Sequence, residues 1–226
     1  MKYGYLSSIA LIPLLSMSSV LYAQENKGEE ASIEEVLVTG SYLKSSAKDG
    51  ASPIVIVDRS SIDQMGAMSI SDITRNLTAN SGAENVPDSF TSGATQGTSN
   101  VNLRGLGLGS TLVLVNGRRN TLAAAVANDG SSFVDTSMIP AIAVERVEVL
   151  KEGAAAVYGS DAIAGVVNYI TRTDFEGTEI GVFQQSTTSD NQTDTQFSLL
   201  HGWASDNTNI VLAAQYMDRS NLNGSD

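Results

Sequence analysis

A stretch between residues 144 and 171 constrains the fold of this chain more than any other part of the sequence. At its start, Val147 and Val149 alternate with Arg146 and Glu148, which predicts a strand with two chemically different faces. Gly153 ends that strand, an Ala-rich turn of helix follows, and Gly159 and Gly165 lead into a second strand, Val166–Thr171, that is rich in β-branched residues. The stretch therefore predicts two strands joined by a short helical connection.

Several segments of the chain resemble one protein family. The stretch just described is similar to the C-terminal signature of the plug domain of TonB-dependent outer-membrane receptors, and Asn102–Gly107 and Thr111–Arg119 resemble earlier parts of that domain. The resemblance is strong from Glu34 to Thr173 and weak over residues 174–226. It implies an α+β plug domain, a small mixed sheet with short helices, followed by the first antiparallel strands of an incomplete transmembrane β-barrel.

Composition and charge exclude several functions. The chain has 226 residues, of which 42% are hydrophobic, so it is long enough for one sizeable domain or a small domain plus a fragment. A formal net charge of -12 without a basic cluster argues against nucleic-acid binding. The absence of cysteine and the single histidine, His201, exclude disulfides, thiolate sites and multi-histidine metal sites. We expect neither a metal ion nor a cofactor.

Residues 1–23 are predicted to be a secretory signal peptide. Lys2 gives a positive start, residues 5–20 are mostly apolar, and Ala23 places a small residue at the cleavage point. A membrane anchor is the alternative, but the apolar run is shorter than the ~20 residues that a spanning helix needs. No later segment has the pattern of a transmembrane helix, so a mature chain in a membrane would have to cross it with β-strands.

Residues 24–51 are predicted to be a flexible tether that carries a short strand at about 34–41. Polar and Gly/Ser-rich sequence flanks this strand on both sides, which favours pairing with the sheet edge of a partner protein, a mode called β-augmentation. The alternative is an ordinary first strand of the plug sheet. The segment resembles a TonB box, and the resemblance assigns TonB binding to Glu35, Val36, Leu37, Val38, Thr39 and Gly40.

The plug domain is predicted to occupy residues 52–173. Pro53–Asp58 has the pattern of a strand, with Ile54 and Ile56 on one face. Two segments have capping-box spacing with Asp in place of Glu, namely Ser60–Asp63 and Ser69–Asp72. Short helices are expected at these boxes, over Ile62–Met65 and Ile70–Leu77.

The middle of the plug is predicted to contain two strands and two turns. Val101–Arg104 and Thr111–Val115 have strand composition, and Asn116–Gly117 after the second of them is a strong signal for a tight turn. Thr136–Pro140 predicts a helical turn that leads into the strand of residues 144–150.

The resemblance also assigns roles to two loops and to three charged residues. Asn80–Asn100 and Leu122–Ser132 are rich in small and polar residues and correspond to ligand-facing loops of the plug, although either could be a simple connector. Arg104, Glu145 and Arg146 correspond to positions where the plug makes charge contacts with the barrel wall. The alternative is ordinary surface charge on a sheet.

Residues 174–226 are predicted to begin a membrane barrel. Thr178–Ser186, Thr195–Ala204 and Asn209–Met217 alternate apolar and polar residues over the ~9–11 residues that such barrels use, although hairpins of a soluble sheet share this pattern. Receptors of the family close with about 22 strands, so we expect the chain to be the N-terminal part of a longer protein. The apolar faces are expected to carry Phe197, Leu199, His201 and Trp203 in the second strand, and Ile210, Leu212, Ala214 and Tyr216 in the third.

Enzymatic activity is not expected. Gly105–Ser110 lacks the third glycine of a dinucleotide-binding loop and precedes a strand rather than a helix. Gly159-Ser160-Asp161 is not the G-x-S-x-G elbow of a hydrolase, and His201 lies in a predicted barrel strand.

The resemblance implies an active transporter in the outer membrane of a Gram-negative bacterium, with its plug facing the periplasm. Its expected partners are TonB with the inner-membrane energising complex, outer-membrane lipid, and a scarce small ligand such as a siderophore, cobalamin or oligosaccharide. The segment Gln24–Ser32, ahead of the predicted box, is expected to be too short for the extra domain of signal-transducing members. The alternative function is a soluble periplasmic binding or adaptor module that has a plug-like fold and does not transport.

Overall fold

The computed structural model describes residues 54–81, 93, 95–152, 154–186, 192–205 and 208–220. The predicted signal peptide, the tether and the predicted TonB box lie outside these residues. Within the part of the chain that the structure describes, no helix is long and apolar enough to cross a membrane.

A five-stranded mixed sheet forms the first part of the fold. Its spatial order is β1-β4-β5-β2-β3, and every neighbouring pair is antiparallel except β2 and β5, which run parallel. This arrangement confirms the predicted small mixed sheet. The strands are β1 (Ile54–Asp58), β2 (Thr111–Val115), β3 (Arg118–Arg119), β4 (Val144–Leu150) and β5 (Gly165–Thr171).

The two faces of this sheet differ as the alternation in β4 predicts. Val147 lies opposite Tyr169 of β5, and both side chains are buried in the main core. On the other face, Glu148 lies opposite Asn168, so this face is polar at that end of the sheet. Glu148 is nevertheless only 1% exposed, and its carboxylate accepts a hydrogen bond from Arg146 Nε at 2.9 Å.

Two short helices pack against the main core. They are α1 (Arg59–Gln64) and α2 (Ile70–Arg75). The capping box predicted for α2 is confirmed, because the Asp72 amide donates to Ser69 Oγ at 3.3 Å and the Ser69 amide donates to Asp72 Oδ2 at 3.0 Å. Such caps satisfy amides that the first turn of a helix leaves without partners.

The capping box predicted at Ser60 for the first helix is wrong. Helix α1 begins two residues earlier than the prediction allows, and its N-cap is Asp58, the last residue of β1. The Ser61 amide donates to Asp58 Oδ1 at 2.8 Å, and this bond is the largest cause of a lowered pKa at Asp58. The strand and helix therefore share a boundary, which leaves no room for a separate cap.

The strand predicted over Val101–Arg104 is also wrong. Only an isolated bridge forms there, between Leu103 and Asn80. Arg104 has a φ of 58° and Gly105 a φ of 68°, so the chain turns where a strand would have to continue.

The predictions for Thr111–Val115 and for the turn after it are confirmed. Asn116 and Gly117 have φ values of 50° and 74°, the left-handed conformation that a two-residue hairpin turn between β2 and β3 requires. The predicted helical turn near Pro140 is a 3-10 turn over Thr136–Met138, and a second 3-10 turn, Ala141–Ala143, leads into β4.

The connection from β4 to β5 contains the expected turn of helix, α3 (Ala155–Tyr158). The connection leads into Gly165, the first residue of β5, which has a φ of 134°. A Cβ atom there would lie 2.5 Å from the Leu150 carbonyl oxygen, so only glycine lets β5 start this close to the end of β4.

A separate three-stranded antiparallel sheet, called here the wall sheet, forms the last part of the fold. It consists of β6 (Gly177–Ser186), β7 (Thr193–Ser205) and β8 (Thr208–Arg219), in that order. The three strands confirm the predicted segments and extend them by one or two residues, β6 at its first end and β7 and β8 at both ends. Burial in β7 alternates strictly from Gln196 to Trp203, so one face of the wall sheet packs inward and the other is exposed.

Candidate functional site

The inner face of the wall sheet packs against the five-stranded domain, and this interface is the candidate functional site. Leu200 of β7 is completely buried, in a cluster with Ile142 and Ala143 of the second 3-10 turn. The Ala141 amide of the same turn donates to Gln215 Oε1 of β8 at 3.0 Å. This 3-10 turn therefore docks directly on two strands of the wall sheet.

The same turn is held from its other side by α1. Arg59 Nη1 donates to the Ala141 carbonyl at 3.0 Å and to the Val144 carbonyl at 3.1 Å. Arg59 also pairs with Asp63 one helical turn further on. The docking turn is thus fixed between the first helix of the domain and the wall sheet.

A five-residue connection, residues 172–176, joins β5 to β6 along the interface. Arg172 Nη1 contacts Glu179 of β6 at 2.7 Å and Arg172 Nε lies 3.7 Å from Glu145 of β4. The Arg172 guanidinium carbon also lies 4.3 Å from the centre of the Phe175 ring. The Arg172 side chain is only 16% exposed, although both of its acidic partners are about half exposed.

The rest of the connection is packed tightly against the wall sheet. Gly202 of β7 faces the Phe175 carbonyl so closely that a Cβ atom at this position would overlap the backbone. Asn209 of β8 donates to the Thr173 carbonyl and, at 3.2 Å, to Asp174 Oδ1. Backbone contacts therefore hold the connection independently of the Arg172 side chain.

A cleft of about 390 Å³ lies between α2 and β8, at the end of the wall sheet that is distant from residues 172–176. Ser71 contributes a buried hydroxyl that has no hydrogen-bond partner, and the nearby Arg75 has no ion-pair partner among the described residues. Arg219 on the other side of the cleft pairs with Asp194 at 3.1 Å. The cleft is therefore polar and keeps hydrogen-bonding capacity that the described residues do not use.

The two predicted ligand-facing loops lie in different places. In the loop Asn80–Asn100, the described residues that line the cleft are Gly97 and Ser99. The loop Leu122–Ser132 instead packs, through Ala123, Ala125 and Ala127, on Leu108, the first residue of a 3-10 turn over Leu108–Ser110. The assignment of ligand contacts to these loops stays a prediction.

Two of the three charged residues predicted to contact the barrel have partners within the five-stranded domain, and the third has its partner in the connection. Arg104 Nη2 donates to the carbonyls of Ile163 and Ala164 at 3.2 and 3.1 Å. Arg146 Nε donates to Glu148 at 2.9 Å, and Glu145 faces Arg172 as described above. Their contacts with further barrel strands stay predictions.

Sequence reasoning missed Arg172, which joins β4, the connection and β6. Its only local signal is its place directly after β5, where the plug signature ends. Gly202 was missed as well, although it is the one glycine inside the alternating pattern of β7. Among the described residues, no group of three or more acidic or histidine side chains is close enough to hold a metal ion.

Comparison with known proteins identifies the domain that contains the five-stranded sheet. A family model described as the TonB-dependent receptor plug domain matches residues 46–166, more than half of the chain. The chain belongs to this family. The five-stranded domain is accordingly the plug, and the strands that follow it are barrel strands.

Solved receptor structures show the same fold. The ferric citrate transporter FecA in its unliganded form matches with a TM-score of 0.61 and 22% identity, over 79% of this chain and 27% of that chain. The siderophore receptor PirA from Pseudomonas aeruginosa matches with a TM-score of 0.53 and 22% identity, over 75% and 29%. PirA from Acinetobacter baumannii matches with a TM-score of 0.52 and 25% identity, over 76% and 25%. The chain thus spans about a quarter of the length of these receptors.

Proposed function

We propose that this chain is the N-terminal part of a TonB-dependent active transporter of the Gram-negative outer membrane. In this proposal the plug closes a barrel whose wall begins with β6, β7 and β8. The observation that carries it is the orientation of the wall sheet, which packs its inner face on the plug and exposes an apolar outer face.

The outer face has the composition expected of a lipid-facing surface. An antiparallel sheet in a soluble protein buries its apolar face and exposes its polar face. Strand β7 does the reverse between Gln196 and Leu199, since it buries Gln196 and Ser198 and exposes Phe197 and Leu199. Barrel strands in a membrane alternate in this way. On the outer face, the large exposed apolar side chains are Ile180, Val182, Phe197, Leu199, Trp203, Ile210, Leu212 and Tyr216.

The proposed transport cycle requires no bond-making chemistry in this chain. A scarce ligand binds from outside between plug loops and barrel, and the cleft beside α2 supplies polar groups for it. TonB then pairs with Glu35–Gly40 by β-augmentation and pulls, and the plug rearranges so that the ligand passes. FecA and PirA are named for ferric citrate and for siderophores, so a siderophore-type iron chelate is the first ligand to test for this chain.

Energy coupling can be tested with a synthetic peptide of residues 33–42 and the isolated periplasmic domain of TonB. We expect saturable binding, measured by calorimetry, because the peptide offers unpaired amides and carbonyls along an extended strand. The control peptide carries Leu37→Pro, which removes one amide and fixes φ, and it is expected not to bind. No saturable binding by the native peptide, or equal binding by both peptides, would contradict TonB coupling.

A further inference from the structure

The connection between the plug and the wall sheet contains a charge cluster centred on one side chain. Arg172 follows the central strand β5, and its guanidinium lies between Glu145 of β4 and Glu179 of β6. The Phe175 ring lies against the same guanidinium. One residue therefore contacts the plug, the connection and the first barrel strand together.

We propose that Arg172 is a positioning residue that fixes the orientation of the plug against β6, β7 and β8. The role depends on the side chain, because the backbone of the connection is held separately by Asn209 and by close packing at Gly202. Removing the guanidinium therefore loosens the angle between the two sheets without detaching the connection.

The chemistry of arginine suits this position. A guanidinium is planar, always charged and carries several N–H donors, so it can serve two carboxylates and stack on an aromatic ring at once. Each ion pair by itself contributes little, because Glu145 and Glu179 are 48% and 43% exposed and water screens them. Lysine retains the charge but not the fork or the stacking surface, so it is expected to replace Arg172 only in part.

The two carboxylates make the loss of Arg172 more costly than the loss of either acid. Without the guanidinium, Glu145 on the plug and Glu179 on the wall are like charges on opposite sides of the same interface. The attraction of both carboxylates to Arg172 is then replaced by repulsion between Glu145 and Glu179. Replacing Glu179 instead removes one ion pair and leaves Arg172 with Glu145.

The positioning role of Arg172 depends on its contacts with Glu145, Glu179 and Phe175 and not on TonB. If the protein is the transporter proposed above, plug movement has to occur with the β5–β6 connection in place.

The absence of cysteine allows a direct measurement of the angle between plug and wall. Spin labels are attached at Gln64→Cys, exposed on α1, and at Leu212→Cys, exposed on the outer face of β8. Pulsed electron paramagnetic resonance on the protein in detergent micelles then reports the distance distribution between the two sites. We expect one narrow distribution for the native junction, a wider one with Arg172→Ala and an intermediate one with Arg172→Lys.

The matched control is Arg119→Ala, because the hydrogen bonds and ion pair of Arg119 with described residues go to Asp161 and to the Tyr158 carbonyl, both inside the plug. Its distribution is expected to stay narrow. If Arg172→Ala lowers the folded yield, Glu179→Gln gives the same test, with a smaller widening expected. A narrow distribution in both junction variants, or equal widening in the Arg119→Ala control, would overturn the proposal.

Discussion

The buried phenol of Tyr169 links the central strand of the plug to helix α2. Its hydroxyl lies 3.0 Å from Thr74 Oγ1, and Thr74 in turn donates its own proton to the Ile70 carbonyl at 2.8 Å. Tyr169 is therefore the donor of the pair. Because the ring is completely enclosed in the main core, ionisation would place a charge among apolar side chains.

Burial raises the pKa of Tyr169 to about 12 from its usual value of 10.0. The unfolded chain then loses this proton before the folded protein does, so the free energy of unfolding falls as pH rises from 10 to 12. A shift of this size corresponds to roughly 2 to 3 kcal/mol at full effect. We expect Tyr169→Phe to remove that part of the pH dependence, measured by denaturant unfolding at several pH values.

The matched control for this prediction is Tyr216→Phe, which removes an exposed phenol from the outer face of β8. It is expected to keep the alkaline loss of stability, because Tyr169 is still present. An identical pH dependence in the native protein and in Tyr169→Phe would show that the buried phenol does not titrate as the structure requires.

At the scale of elements, the sequence predicted a strand, turn or helix cap correctly where residues close together in the chain determine it. The alternation in β4, the glycines around β5, the Asn116–Gly117 turn and the Ser69 cap are local patterns, and each formed as expected. Predictions of element boundaries failed where an adjacent element determined the position of the boundary. Asp58 ends a strand and starts a helix at once, which no spacing rule reports.

The candidate site was harder to predict than the fold because its contacts are distant in sequence. Arg172 meets Glu145 and Glu179 only after β4, β5 and β6 have packed together. The apolar alternation of β7 predicted its exposed face, but the tight approach of Gly202 to Phe175 depends on how the connection folds back. Side-chain periodicity carries no information about such approaches.

Substitution of Gly202 by alanine tests how closely the connection packs on β7. The added Cβ would overlap the Phe175 carbonyl, so the backbone has to move, and overpacking of this kind costs about 1 to 3 kcal/mol. We expect Gly202→Ala to lower the free energy of unfolding measured by denaturant titration. Gly93→Ala is the matched control, because a Cβ there meets no atom of the described residues within 4 Å. Equal stability of both variants would contradict the tight junction.

At the scale of the whole molecule, the two sheets face solvent differently. The plug buries a continuous apolar core of its own, whereas the wall sheet buries little besides its contact with the plug. Large side chains such as Ile180, Leu212 and Tyr216 remain exposed on its outer face. An apolar surface of this extent needs a bilayer or another protein to cover it. This asymmetry favours the proposed transporter over the alternative of a soluble plug-like module.

Trp203 is the only tryptophan of the chain and lies 55% exposed on this outer face, so it is a native reporter of what covers the wall. The most direct test reconstitutes the protein in phospholipid vesicles and measures quenching of Trp203 by brominated acyl chains and by aqueous acrylamide. The control carries Trp203→Phe with Gln64→Trp, which moves the reporter to an exposed position on the plug. We predict strong quenching by brominated lipid at Trp203 and weak quenching at the control position. Efficient quenching of Trp203 by acrylamide with no effect of brominated lipid would contradict a membrane wall and favour the soluble module.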